Sequence, residues 1–391
     1  MIILHDPDTL RHEAAEFVGA KLTPAVESPD RIRNITEALI ASNYKLLSLS
    51  STEEDKAQTL EIAHLTHDKQ YLHHVSSAHS LWLSAGIVGP QESVLPECFP
   101  FPHSVTSQPG PRPPKDVFAR AGYYAFDLSS GIMQESWTSI IASAHLAARA
   151  VEMIHVPHDQ VADAIGTSIA PPGSQAKGKT VIALCRPPGH HCDGRRAGGY
   201  CYINNAAVAV SAFRAVQSQA SGQPVSPKIA VLDLDFHHGN GTQEIFYNDP
   251  DVLYVSIHGE DEFPYYTGSV DERGGPDADA VGKNVNLPLR TGSSFSEYMK
   301  LLTEGLKHIV KHDPMFLVIS MGFDTFRLDP LGNFAIDTED YAVMARTVRD
   351  QLADVPAVVL LEGGYVVEHL GPNFLAFLGG WDSGASLKIT R

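Results

Sequence analysis

Residues 229–241 are Ile-Ala-Val-Leu-Asp-Leu-Asp-Phe-His-His-Gly-Asn-Gly, and this stretch decides the fold class. Its apolar first half is typical of a buried strand in a parallel sheet. The run then ends in two carboxylates and two imidazoles, followed by a Gly-Asn-Gly turn. Because Asp233 and Asp235 are two residues apart, a strand would point both side chains to the same side of the sheet.

Carboxylates at the end of a buried strand need partners, because an unpaired buried charge is strongly destabilising. A metal ion is the simplest partner, with Asp235 and His237 as oxygen and nitrogen ligands. A structural cluster of hydrogen bonds that caps the sheet would satisfy the same groups. The segment alone therefore leaves a metal site and a structural cluster as alternatives.

Strand-like and helix-like stretches alternate along most of the chain. This alternation predicts an α/β fold with a mostly parallel β-sheet and helices on both faces. Other apolar runs that predict strands lie at 180–185, 252–257, 316–320 and 357–361. Helical patterns lie at 134–155, 204–219, 294–311 and 338–352. No internal repeat or linker divides the sequence, so we expect a single domain over residues 1–391, with its active site at the carboxyl ends of the strands.

One segment departs from this alternation. Residues 86–122 contain eight prolines and few periodic apolar residues. A structureless loop of this length inside a compact domain is usually a functional or an interface element. A solvent-exposed insertion without a role would have the same composition. The sequence predicts a Pro-rich insertion loop at about 86–122.

Composition restricts the partners and the compartment. The 29 Lys and Arg residues against 46 Asp and Glu residues give a net charge of −17, which disfavours nucleic acid and anionic membranes and favours cationic ligands. The four cysteines lack the spacing of a disulfide framework, as is typical of reduced cytosolic thiols. The first residues do not resemble a signal peptide, and no apolar stretch approaches the roughly 18 residues of a membrane span. We expect a cytoplasmic protein that binds neither nucleic acid nor a membrane.

Polar groups follow other predicted strands in the same way. Arg-Pro-Pro-Gly-His-His follows one apolar run and places His190 and His191 at its end. Adjacent histidines beside a metal site suit proton transfer, because imidazole titrates near neutral pH. Asp324 follows another run and offers a third ligand. Tyr365 follows the last run after two glycines, where its hydroxyl can donate a hydrogen bond.

Together these groups describe a hydrolytic metal site. Two carboxylates and one imidazole would leave an open coordination position. The ion would polarise a carbonyl and lower the pKa of a water, while a histidine takes the proton and a phenol supports the oxyanion.

Five strings in this order resemble the histone deacetylase and acetylpolyamine amidohydrolase superfamily, which has the arginase-deacetylase fold. They are RPPGHH (186–191), GGYCYINNAA (198–207), DLDFHHGNGTQ (233–243), GFDTFRLDP (322–330) and LEGGY (361–365). Residues 27–33 are also similar to the Pro-x-Arg motif near the start of the family domain. The resemblance covers nearly the whole chain, and it favours the acetylpolyamine amidohydrolase-like deacetylases.

The resemblance implies two metal sites. Asp235, His237 and Asp324 would bind the catalytic metal, which would be zinc or ferrous iron. The family also holds a structural monovalent cation, expected to be K⁺. Main-chain carbonyls of Asp233 and His237, together with Ser256, would bind it here.

The resemblance also implies catalytic roles. His191 would act first as general base and then as general acid, with His190 beside it as an electrostatic partner. Asp233 and Asn240 would orient the two histidines. Tyr365 would donate a hydrogen bond to the acetyl oxyanion.

The implied substrate-binding residues form a narrow tunnel. Tyr200 and Phe263 would be its aromatic walls, and Gly199 and Leu331 would also contact the substrate. Leu331 stands where polyamine-selective animal deacetylases have Glu and acetyl-lysine deacetylases have an apolar residue.

Other segments favour small amines. Residues 121–127 are similar to the string that follows the dimer loop of acetylpolyamine amidohydrolases. The 86–122 loop would therefore narrow the partner's entrance in a homodimer. The acidic trio at residues 260–262 would either bind distal ammonium groups or form a solvated turn.

The sequence thus predicts a zinc-dependent deacetylase that removes acetyl groups from small cationic amines such as acetylpolyamines. A lysine deacetylase acting on proteins or peptides is the main alternative. A protein that binds acyl-lysine without catalytic activity is a third hypothesis. A binuclear arginase-like hydrolase would need more ligands than Asp233 and its neighbours offer.

Overall fold

The computed structural model describes residues 1–100, 112–156, 178–275 and 279–382. Its strands are β1 (Ile2–His5), β2 (Ala15–Val18), β3 (Lys21–Pro24), β4 (Leu46–Ser48), β5 (Thr180–Ala183), β6 (Ile229–Asp233), β7 (Val252–Gly259), β8 (Asn284–Leu289), β9 (Phe316–Met321) and β10 (Ala357–Leu361). Eight of them form one sheet in the order β4-β1-β5-β10-β9-β6-β7-β8. Every pair in this sheet is parallel, whereas β2 and β3 form a separate antiparallel hairpin.

Helices cover both faces of the sheet. They are α1 (Asp30–Ala41), α2 (Glu53–Ala63), α3 (Lys69–Ser84), α4 (Val117–Tyr123), α5 (Ser136–Ile154), α6 (Asn205–Ser221), α7 (Asn240–Phe246), α8 (Phe295–His312), α9 (Asp340–Gln351) and α10 (Val367–Asp382). No helix in these described ranges has the length and apolar character of a membrane span.

The central strands are buried on both sides. Along β6, Ile229 and Val231 belong to one hydrophobic core, and Ala230 and Leu232 belong to the other. This alternation follows from the two-residue period of a strand. One core contains residues of α2, α3, α5 and α6, and the other contains residues of α1, α8, α9 and α10. The predicted α/β fold with a parallel sheet and helices on both faces is confirmed.

The Pro-rich segment needs a correction. Residues 117–123 form helix α4, so the irregular loop does not extend over the whole of 86–122. The Asp116 carboxylate caps this helix by accepting from the backbone N–H groups of Phe118 and Ala119. The Phe118 ring stacks on Trp82 of α3, with centroids 5.1 Å apart, so tertiary packing stabilises a helix too short to form alone. Residues 101–111 lie outside the described residues.

Candidate active site

Four neighbouring strands bring the predicted groups together. In the order β5-β10-β9-β6, their carboxyl ends lead to the histidine pair, Tyr365, Asp324 and the segment Asp235–His237. Carboxyl ends of parallel strands meet at one edge of a sheet, where such folds place their sites.

The three predicted metal ligands lie within 4.8 Å of one another, measured between their ligand atoms, and all three are buried. Nδ1 of His237 lies 2.9 Å from an Asp324 oxygen and 3.3 Å from an Asp235 oxygen. Two carboxylates and one imidazole thus converge on one point. This donor set suits zinc or ferrous iron.

Surrounding groups hold these ligands in place. With Nδ1 facing the carboxylates, His237 donates through Nε2 to the carbonyl of Leu331 at 3.1 Å. Backbone N–H groups of Gly363 and Phe236 donate to Asp235 and Asp324 at 2.8 and 2.9 Å, respectively. Such outer partners orient the ligands of metal sites in proteins.

The local charge and space also fit a cation. Burial, followed by the nearby charge of Asp235, raises the pKa of Asp324 to about 7. A Cβ atom on Gly322 would lie 2.1 Å from an Asp235 oxygen, and one on Gly363 would lie 2.4 Å from an Asp324 oxygen. Only glycine lets the backbone approach the carboxylates this closely. We conclude that these residues fit a divalent metal ion.

The two histidines make separate hydrogen bonds. Nδ1 of His190 lies 3.2 Å from an Asp233 oxygen, and Nδ1 of His191 lies 2.8 Å from the Asn240 side-chain oxygen. Their ring centroids are 4.1 Å apart. Since each Nδ1–H donates, each Nε2 is left to face the site.

The environment separates the charge states of this pair. Although burial lowers it, the charges of Asp235 and Asp233 raise the pKa of His190 to about 10. Burial, then the nearby charge of His190, lower the pKa of His191 far below its ordinary value. The two pKa values are therefore shifted in opposite directions, which favours a charged His190 beside a neutral His191 that can accept a proton.

A cavity of about 350 Å³ opens onto this centre. The predicted substrate-binding residues Gly199, Tyr200, Phe263 and Leu331 all line it, as does Tyr365. The Phe263 ring stands edge-on to His191 at 4.9 Å, and the Tyr200 ring lies 5.8 Å from that of Tyr365. An aromatic wall of this kind suits an alkyl chain.

Sequence reasoning missed two carboxyl groups in this cavity. Glu16, on β2, accepts a hydrogen bond from the Tyr200 hydroxyl at 2.9 Å. Asp127 accepts from the Gly199 N–H at 2.7 Å. Burial raises the pKa of both carboxyl groups. Asp127 lies in the 121–127 string, whereas nothing in the local pattern around Glu16 indicates that the hairpin reaches the site.

The acidic trio borders two neighbouring cavities, and Glu262 lines both of them. Glu262 lines the active-site cavity and accepts from the Thr291 hydroxyl at 2.7 Å. Glu260 and Asp261 line an adjacent cavity of about 280 Å³, and Glu260 pairs with Arg290 at 3.4 Å. Only Glu262 of the three is placed to meet a substrate in the main cavity.

The predicted monovalent-cation residues are also neighbours. Asp233 of β6 pairs with Ser256 of β7 in the sheet register, and both are fully buried. The Ser256 hydroxyl lies 2.8 Å from Nδ1 of His258. The cation itself stays a prediction.

Comparison with known proteins agrees with this arrangement. Residues 25–380 match the histone deacetylase domain. The chain belongs to the histone deacetylase family. This family member is 34% identical to acetylpolyamine amidohydrolase of Mycoplana ramosa over 97% of this chain and 98% of that protein. It is 32% identical to acetylpolyamine amidohydrolase 2 of Pseudomonas aeruginosa over 98% of each.

A solved structure extends the similarity of this histone deacetylase family member to the fold. Acetylpolyamine aminohydrolase from Burkholderia pseudomallei matches with a TM-score of 0.78 at 31% identity, covering 98% of this chain and 99% of that chain. The family and the fold expected from the five strings are confirmed.

Proposed function

We propose that this protein is a metal-dependent deacetylase that hydrolyses N-acetylated cationic amines, with acetylpolyamines as its substrates. The proposal rests on one observation: the predicted metal ligands and catalytic groups lie at the end of an acidic cavity. Glu16, Asp127 and Glu262 line that cavity, and none of its described lining residues is Lys or Arg. Two relatives that match over 98% of their length carry the name acetylpolyamine amidohydrolase, which supports the same substrate class.

Asp235, His237 and Asp324 would hold the metal, for which we propose zinc, with ferrous iron as the alternative. An ion there supplies Lewis acidity toward the acetyl carbonyl and the attacking water. Among the protein's own groups, His191 acts first, and its neutral Nε2 accepts the proton of that water. The same nitrogen then gives the proton to the leaving amine.

Four further residues support this reaction. Asn240 holds the Nδ1–H of His191, so that Nε2 is the basic nitrogen. His190 contributes a positive charge beside it, stabilised by Asp233. Tyr365 lines the cavity and would donate its hydroxyl to the oxygen that becomes negative.

The cavity supports the choice of substrate in two ways. Its aromatic walls and volume of about 350 Å³ suit a slender alkyl chain. The pKa values of the Glu16 and Asp127 carboxyl groups are raised, and a nearby ammonium group would stabilise their charged forms. Acetyl-lysine in peptides is a second candidate, because the apolar Leu331 lies in the cavity wall at 38% exposure.

We also propose the remaining features that the resemblance implies. These are a homodimer formed through the 86–122 loop and a structural K⁺ near Asp233 and Ser256. The free state of all four cysteines supports the cytoplasm as the compartment.

A charge-specific test uses two substrates that differ only in the distal ammonium. Glu16→Gln is expected to lower kcat/KM for N-acetylputrescine about tenfold, or about 1.4 kcal/mol, chiefly through KM. The reason is the loss of a buried negative charge that faces the ammonium. For the uncharged N-acetylbutylamine, kcat/KM should change less than about twofold.

Steady-state kinetics on both substrates provide the measurement, and Glu13→Gln is the matched control. Glu13 is exposed, lies three residues away and does not line the cavity. An equal loss on the charged and the uncharged substrate would refute charge recognition by Glu16.

A further inference from the structure

Glu362 is a buried carboxyl group that the proposed chemistry does not use. It follows β10, three residues before Tyr365, and its exposed fraction is 0%. It is not among the residues that line the active-site cavity. Since a buried carboxylate is tolerated only where donors surround it, its hydrogen bonds indicate what it holds.

Three donors from two other strand ends converge on this carboxylate. One oxygen accepts from the backbone N–H groups of Gly189 and His190, at 2.7 and 3.2 Å. The other oxygen accepts from the hydroxyl of Ser320, on β9, at 2.9 Å. The side chain therefore links the turn that carries the two histidines to β9 and β10.

The backbone of Glu362 is held from a different direction. The buried guanidinium of Arg31 donates to the carbonyl of Glu362 and, at 2.6 Å, to that of Gly364. Arg31 is in turn paired with Glu27 at 2.8 Å. Arg31 thus fixes the position of the turn that leads to Tyr365. From this turn the Glu362 carboxylate reaches the turn that carries the histidines.

The histidine turn is packed on its other side as well. A Cβ atom on Gly189 would lie 2.4 Å from the backbone nitrogen of Asn205, the first residue of α6. The turn therefore lies against the start of α6 and is hydrogen-bonded to Glu362. Loss of the Glu362 contact would remove one of the restraints on this turn.

We infer that Glu362 is a positioning residue, which fixes the histidine turn relative to the turn that carries Tyr365. The inference rests on the proposed function, in which His191 and Tyr365 act on the same acetyl group. The distance between the His191 ring and the Tyr365 hydroxyl must then suit one substrate. A misplacement of about 1 Å can cost about a hundredfold in rate. Glu362 would set that separation without touching the substrate.

The geometry requires an acceptor at the right distance more than it requires a charge. Both backbone N–H groups donate to the same oxygen, so the single oxygen of Gln can replace it. The amide nitrogen of Gln would then face Ser320, whose hydroxyl can accept as well as donate. Asp keeps the charge, but its carboxylate falls short by one methylene, about 1.5 Å.

The test compares Glu362→Gln with Glu362→Asp in the metal-loaded protein. We expect Gln to keep kcat within about threefold of wild type, and Asp to lower kcat at least about thirtyfold. In both variants KM should stay within about twofold, because Glu362 does not line the cavity. Metal content should also match wild type. Glu368→Asp, an exposed position in the same part of the chain, is the control.

An NMR measurement gives the same comparison without turnover. In protein with 15N-labelled histidine, the hydrogen-bonded Nδ1–H signals of His190 and His191 should persist in the Gln variant and shift in the Asp variant. Wild-type kcat with unshifted signals in Glu362→Asp would overturn the inference, as would a loss in Glu362→Gln equal to that in Asp. If the Glu362→Asp protein does not fold, the Glu362→Gln variant decides alone. A loss of kcat above about tenfold in that variant overturns the inference, and near wild-type kcat supports it.

Failure of the proposed deacetylase activity, whichever amine is the substrate, has a different signature. Wild-type protein would then hydrolyse neither acetylpolyamines nor acetyl-lysine peptides. The histidine signals of the two variants would still decide whether Glu362 holds the turn.

Discussion

Tyr365→Phe is expected to lower kcat for deacetylation about a hundredfold or more, which corresponds to about 3 kcal/mol of transition-state stabilisation. The hydroxyl is needed when negative charge develops on the acetyl oxygen, so KM should change little. The ring itself stays, and with it the packing under the Arg31 guanidinium, 5.2 Å from the ring centroid. Stability and metal content should therefore stay close to wild type.

Steady-state kcat and KM, metal analysis and thermal unfolding would be measured together for this variant. Tyr200→Phe is the matched control, because it removes a neighbouring hydroxyl that donates to Glu16. Its loss of kcat should be much smaller. Full activity of Tyr365→Phe would show that another group supports the oxyanion.

Asp235→Ala is expected to abolish both metal binding and turnover. The change removes one of three ligands, and it leaves the backbone N–H groups of Gly363 and His237 without their carboxylate partner. It also removes a negative charge 3.7 Å from Nε2 of His190. Added zinc should not restore activity, because the remaining Asp and His ligands are too few for a stable site.

Metal content after dialysis, measured by mass spectrometry, tests this expectation. Asp261→Ala is the control, since Asp261 is an acidic residue outside the active-site cavity and should keep full metal content. Asp235→Asn preserves the side-chain shape, and it should still fold while binding metal weakly. An Asp235→Ala protein that retains one tightly bound ion would contradict the assigned ligand set.

The sequence could predict the centre of the site because local patterns marked it. Buried strands are continuous apolar runs, and Asp235 and Asp324 are conspicuous where such runs end. The parallel topology then brings those ends to one edge of the sheet. Strands β1 and β4 are four and three residues long, and β8 alternates polar and apolar residues, so a search for long apolar runs misses all three.

Groups held by contacts between distant segments could not be predicted in this way. Glu16 meets Tyr200 across 184 positions of sequence, and no local pattern reports that distance. Glu362 lies inside the LEGGY string, yet its spacing does not indicate that its side chain reaches Gly189. Helix α4 likewise depends on the stacking of Phe118 on Trp82. In each case tertiary packing outweighs the local signal.

The most direct test of the proposed function is kcat/KM of the zinc-loaded protein on N-acetylputrescine, an acetylspermidine and an acetyl-lysine peptide, measured in parallel. The acidic, aromatic-walled cavity predicts a preference of at least about tenfold for the small cationic amines, equivalent to about 1.4 kcal/mol. Equal or faster turnover of the peptide would contradict selection by this cavity and would indicate a lysine deacetylase.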